Sequence, residues 1–215
     1  YIRAYATNSN GTSYGTQQSF TTAIDCPSTI TDIDGNSYPT VLLGTQCWMA
    51  KNLRTTKYAT GTTISLGSST STSTAYRYYP NNNSSNVSSY GYLYNWKAVM
   101  GNSSSSSANP SGVQGICPTG WHVPSNAEWT QMTTWVGSQS QYTCSGSNTN
   151  IGKALASTYG WVTSTNTCAV GNGQSSNNAT GFSAPPADVY SGSYSYFGRD
   201  ATFWSATERD GDGSS

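Results

Sequence analysis

Acid–base or nucleophilic chemistry in this chain would have to be built around His122, because it is the single histidine. His122 stands between Trp121 and Val123, directly before Pro124. A catalytic imidazole needs a nucleophile on one side and an orienting group on the other. No motif supplies that pair, so the ring is expected to make a structural hydrogen bond. Glu128 and Glu208 are the carboxylates a glycosidase-type pair would use. Such a pair must face each other across a cleft, and nothing in the order of residues places them so. No catalytic residue is assigned, and the chain is expected not to be an enzyme.

Metal chemistry has one candidate. Asp32-Ile33-Asp34-Gly35-Asn36 sets the side-chain oxygens of Asp32, Asp34 and Asn36 at alternate positions, like the start of a calcium loop. An EF-hand loop also needs a Glu about six residues after the glycine, and none comes. Asp-Gly is equally a hairpin turn signal, so the segment is expected to be a turn, no metal is assigned, and no cofactor is expected. The five cysteines are Cys26, Cys47, Cys117, Cys144 and Cys168. They form no CxxC, which argues against zinc and for disulfides in an oxidising compartment. The expected pairs are Cys26–Cys47, tying a linker to the first strand of the body, and Cys144–Cys168, closing a loop of about 25 residues. Sugar binding would use rings. Of the 16 tyrosines, Tyr190, Tyr194 and Tyr196 are the candidate glycan contacts. Most tryptophans are assigned to the core, because aliphatic residues are scarce.

The elements that must position these residues are strands, turns and a few helices. Charged residues are 8% of the chain and balance to zero, far below the roughly 25% of an average soluble domain. No basic stripe exists for nucleic acid, no polybasic helix for a membrane surface, and no apolar run for direct membrane insertion. Ser, Thr, Asn, Gly and Tyr carry the surface instead, and they favour strands and turns over helices. Residues 1–22 read as a hairpin. Tyr1, Arg3 and Tyr5 lie on one face, with Ile2, Ala4 and Ala6 on the other, a turn at Asn8 to Gly11, and a return strand from Gly15 to Thr22 that includes Phe20. Residues 23–30 form a linker and 31–208 a body. Residues 209–215 form a polar tail. Helices are expected at Tyr90–Met100, after Ser125, and at Ile151–Ser157. Ser125 with Glu128 forms a capping box that opens the second of these, whose Trp129, Met132, Trp135 and Val136 share a face.

Five ordered segments carry a resemblance: "TDIDGNSYPTVLLGTQCWMAKNLRTTKY" (31–58), "YGYLYNWKAVM" (90–100), "GICPTGWHVPSNAEW" (115–129), "TGFSAPPA" (180–187) and "FWSATE" (203–208). Together they resemble the Fibrobacter succinogenes major paralogous domain. Residues 1–22 are similar to the last two strands of fibronectin type III-like modules on bacterial surface proteins. The resemblance implies an α+β fold, mostly strands and loops, with a C-type-lectin-like body related to formylglycine-generating enzymes. The catalytic cysteines of those enzymes have no match here, and fold does not carry function. The resemblance also implies that Cys117 normally pairs with a cysteine in a downstream "RC" motif, which this chain does not contain. Cys117 is therefore expected to be the free thiol.

Two functions compete on this reading. The first is a non-enzymatic extracellular structural or adhesive protein on the bacterial cell surface, a subunit of a filament. Its copies would join head to tail by β-strand addition through Tyr1, Ile2, Arg3, Ala4, Tyr5 and Phe20. The chain opens in mid-strand and stops before strands that the resemblance implies, so its last sheet is expected to be completed from outside. The second is a lectin-like module of an adhesin that binds glycan or host matrix.

Overall fold

A computed structural model describes residues 1–19 and 24–208; Phe20 falls outside them. The fold is α+β, with strands and loops predominating over a few short helices. Its first element is a hairpin of β1 (Tyr5–Asn8) and β2 (Gly11–Tyr14), paired from Tyr5↔Tyr14 to Asn8↔Gly11. The return strand thus starts at Gly11 and not at Gly15. Asn8 Oδ1 accepts from the Asn10 amide at 2.9 Å, which closes the turn within two residues. An isolated bridge between Ile2 and Gln18 extends the pairing. Every one of residues 1–19 is exposed.

The body begins with β3 (Thr29–Thr31), β4 (Ser37–Leu43) and β5 (Gln46–Met49), an antiparallel sheet in that order. A second sheet joins β6 (Ser65–Leu66), β7 (Tyr76–Tyr78) and β8 (Leu93–Tyr94). Helix α1 (Val87–Tyr90) precedes β8 and α2 (Trp96–Met100) follows it. The single helix expected over Tyr90–Met100 is therefore divided. Gly91, at φ +75°, ends α1, and Leu93-Tyr94 pairs with β7 before Asn95 caps α2 through the Ala98 amide. Sheet pairing there overrides the helical spacing of the apolar residues.

Helix α3 (Asn126–Ser138) is opened by the Ser125–Glu128 capping box. Helix α4 (Gly152–Leu155) is shorter than its expected span. The last described strands are β9 (Val189–Tyr190) and β10 (Tyr194–Ser195), a small hairpin.

Two clusters of buried side chains hold the body. One gathers Ile64, Ala98, Val99, Met100, Val113, Ile116, Val123 and Ala206, with Trp96, Trp121 and Trp204 packed against it. The other gathers Leu43, Trp48, Met132, Val136, Phe182 and Ala184, with Trp129 and Trp135 against it. Gly115 lets the segment between Val113 and Val123 cross α2. It sits at φ +51°, and a Cβ there would run into the Val99 carbonyl. That carbonyl instead accepts from the Ile116 amide at 2.9 Å.

Candidate functional site

The Asp32–Asn36 segment folds as a turn whose carboxylates are already engaged. Asp32 Oδ1 accepts from the amides of Asp34 at 3.0 Å and Asn36 at 2.9 Å. Its Oδ2 accepts from Asn36 Nδ2 at 2.9 Å and from the Tyr38 hydroxyl at 2.5 Å. Asp34 Oδ2 accepts from the Thr56 amide at 2.6 Å and hydroxyl at 2.8 Å, while Lys57 Nζ lies 3.2 Å from Oδ1. Burial alone would raise the Asp34 pKa, but these Thr56 and Lys57 partners bring it below the usual value. Among the described residues no three His, Cys, Asp or Glu side chains cluster as metal ligands. The turn braces β3 against the loop that follows β5, because Tyr38 also accepts from the Arg54 amide at 2.9 Å.

Four cysteines are joined as Cys26–Cys47 and Cys144–Cys168. Cys117 is free and buried, and burial pushes its pKa up to about 12. Such a thiol is protonated at neutral pH and is a poor nucleophile.

Between the two buried clusters lies a cleft of about 1500 Å³. Its walls come from β5, from the segment running through β8 into α2, from the approach to α3, from β9, and from Thr202 to Trp204. Trp96, Trp121 and Trp204 reach it from the first cluster, and Trp48, Trp129 and Phe182 from the second. Trp48 lies 4.7 Å from Trp129 and 6.0 Å from Phe182, centroid to centroid, and Trp129 lies 5.3 Å from Phe203. Offset and edge-on pairs of this kind contribute about 0.5–1.5 kcal/mol each beyond burial. The rings are thus fixed before any ligand arrives. Trp129 Nε1 donates to the Trp204 carbonyl at 3.3 Å and Trp204 Nε1 to the Tyr94 carbonyl at 2.7 Å, which locks their tilt.

Glu128 organises one wall. Its Oε2 accepts from the amides of Ser125 at 2.9 Å and Ser111 at 3.0 Å. Its Oε1 is 2.6 Å from His122 Nε2, and its carbonyl accepts from Gln46 Nε2 at 3.2 Å. Burial would raise the Glu128 pKa, but the Ser125 amide, His122 and the Ser111 amide outweigh it and hold the carboxyl below the ordinary value. His122 therefore has the structural bond expected of it. Glu208 is exposed and does not line the cleft.

Asp188 fixes another wall. It is buried at φ +93°, a backbone conformation that costs a residue other than glycine of order 1–3 kcal/mol. Oδ1 accepts from the Val189 and Ser195 amides at 2.7 and 2.8 Å, and Oδ2 from the Asn81 amide at 3.0 Å. These bonds tie β9 and β10 to the turn at Pro80–Asn82. Burial nevertheless dominates and raises the Asp188 pKa, and the three amides only partly offset it.

The three tyrosines chosen from sequence part company here. Tyr190 lines the cleft, stacked 4.3 Å from Tyr78. Tyr194 is not among the lining residues and packs on Tyr190 at 4.8 Å, while Tyr196 is 58% exposed and elsewhere on the surface. Ring residues that composition assigns to the core or leaves aside, among them Trp48, Trp96, Trp121, Trp129, Phe203 and Trp204, line the cleft as well. Phe203-Trp204 near the end of the described chain, and Gln46 and Trp48 alternating on β5, were the available signals. The hairpin residues Tyr1, Ile2, Arg3, Ala4 and Tyr5 are all exposed, with the Arg3 guanidinium 3.9 Å over the Tyr14 ring.

Comparisons with curated proteins and with solved structures give no match. A family model, the Fibrobacter succinogenes major domain, matches residues 41–215. That span holds the walls from β5 to Trp204 and takes in most of the chain, so the chain belongs to the Fibrobacter succinogenes major domain family.

Proposed function

We propose that this chain is a non-enzymatic extracellular adhesive module that binds an uncharged glycan in the aromatic cleft. The observation that carries this reading is the cleft itself, about 1500 Å³ and walled by tryptophan, tyrosine and phenylalanine from both buried clusters. That exceeds the roughly 300–1,000 Å³ of a drug-sized pocket and suits an oligomer. Rings offer apolar faces for the C–H face of a sugar, with polar edges for its hydroxyls. The low charge of the chain favours a neutral ligand over an anionic one. Two disulfides fit an oxidising compartment. Among the described residues no helix is long and apolar enough to cross a membrane.

Titration calorimetry with neutral tetrasaccharides (cello-, xylo-, manno- and malto-series) tests the reading. At least one should bind, and Phe203→Ala should weaken it about tenfold, some 1.4 kcal/mol, while the variant stays folded at the assay temperature. Phe203 is 39% exposed and packs on Trp129 and Phe182 with the rest of its ring, so its loss should lower the melting temperature by roughly a few degrees. If no member of the panel binds, the reading fails.

A second reading has its own observation. The hairpin of residues 1–19 exposes Tyr1, Ile2, Tyr5 and Tyr14, and among the described residues it bonds only within itself. Two strands alone are marginally stable in water. This favours the structural role expected from sequence, in which the hairpin adds to a sheet of another copy to build a filament.

A further inference from the structure

We infer that Gln46 and Trp48 form a hydroxyl-reading subsite in the cleft and set which sugar it accepts; the inference rests on the glycan-binding reading. Both residues stand on β5 two positions apart, so their side chains leave the same face of the strand. Both line the cleft. Gln46 Oε1 and Trp48 Nε1 are buried, and neither has a hydrogen-bond partner among the described residues. Trp48 is only 9% exposed, so water does not serve its N–H freely.

The orientation of the Gln46 amide is not arbitrary. The Glu128 carbonyl can only accept, so the NH₂ of Gln46 must face it, at 3.2 Å. That leaves Oε1 as an acceptor without a partner, on the same strand face as the unpartnered Trp48 donor. An acceptor and a donor without partners are what sugar hydroxyls satisfy, an O–H donating to Gln46 Oε1 and a hydroxyl oxygen accepting from Trp48 Nε1. Leaving either atom buried and unpaired is unfavourable, and both side chains border the cleft, where a ligand hydroxyl is the missing partner.

The surroundings fit a sugar. Trp129 stacks 4.7 Å from Trp48 and lines the same cleft, offering an apolar face beside the polar pair. His122, held at Nε2 by Glu128 Oε1, adds an imidazole on the same wall. Glu128 is a positioning residue here, because it orients Gln46 through its carbonyl and His122 through its carboxylate.

The test is a double-mutant cycle between protein and ligand. The tetrasaccharide that binds best is compared with its monodeoxy analogues, on wild type and on Gln46→Met, which keeps the length and removes the acceptor. One analogue should bind wild type at least about tenfold more weakly than its parent, and Gln46→Met should bind both alike. Loss of discrimination at that one hydroxyl, with the other analogues unchanged relative to their parent, is an outcome that a merely structural role of Gln46 would not give. Should Gln46→Met fail to fold, Trp48→Phe removes the indole donor and runs the same cycle. If every deoxy analogue loses equally on wild type and variant, the subsite is wrong while the cleft reading stands. If no tetrasaccharide binds wild type, the cleft reading falls and takes the subsite with it.

Discussion

Glu128 shows what a single side chain contributes in this protein. Its carboxylate serves two backbone amides and an imidazole while its carbonyl fixes Gln46. Its pKa is held below the ordinary 4.5, so its ionised form contributes stability above the unfolded value and loses it as pH falls through the folded one. Glu128→Gln should therefore be less stable than wild type by about 1–2 kcal/mol at neutral pH. That gap should shrink as the pH falls below the ordinary 4.5 and through the lower folded value in urea melts; a gap that stays constant across the range would mean that ionisation is not its source. The Asp32–Asn36 turn makes the opposite kind of prediction. Its carboxylates already accept protein donors and have little capacity left for an ion, so a chelator should leave the melting temperature unchanged. A fall of several degrees would reveal a bound cation. Of the Glu128 site, the cap was legible, since Ser125 and Glu128 stand three apart and both bonds are local. Its other partners were not. Ser111 is 17 residues away and Gln46 is 82, and no local pattern reports contacts at that range.

At the scale of elements, short-range chemistry was legible where one signal acted alone. Helix α3 follows its capping box, and the Asp-Gly segment makes the turn between β3 and β4. Where two signals competed, the longer-range one decided. Leu93-Tyr94 fits a helical stripe, yet it pairs with β7 and divides the expected helix. Ser9-Asn10 closes β1 onto β2 earlier than the Gly15 signal suggests, because the Asn8 side chain substitutes for backbone in the turn. The Cys144–Cys168 bond staples a region with little regular structure between α3 and β9. Its sequence separation is 24 residues, for which loop-closure entropy gives about 3 kcal/mol. Replacing both cysteines by serine should lower stability by about that amount in reducing-agent-free urea melts. A change below about 0.5 kcal/mol would mean that the denatured loop is already restrained.

For the whole molecule, the sequence does not say whether a ring belongs to core or to site, because here the two are one structure. Trp48 and Trp129 pack on the second buried cluster with part of their surface and border the cleft with the rest. Scarce aliphatic residues made the core reading of the tryptophans reasonable, and only the spacing between the two clusters reveals the cleft. The hairpin stands apart from this arrangement. All of residues 1–19 are exposed, and among the described residues each hydrogen bond they make stays within the segment: Ile2 with Gln18, Gly15 with Ala4, Thr7 with Thr12, and the β1–β2 ladder. Among the described residues no hydrogen bond to the body is lost when they are removed, and neither disulfide nor any cleft wall involves them. Deleting residues 1–19 should therefore leave the melting temperature of the body within about 2 °C of the full chain and leave tetrasaccharide affinity unchanged. Sedimentation then separates the two functional readings. If copies add the hairpin to one another's sheets, the full chain forms oligomers at high concentration and the truncated chain is monomeric, since exposed strand edges associate through backbone bonds that the body alone does not offer in the same form. If full and truncated chains sediment identically and only glycan binding depends on the rings, strand addition is excluded and the cleft carries the function alone.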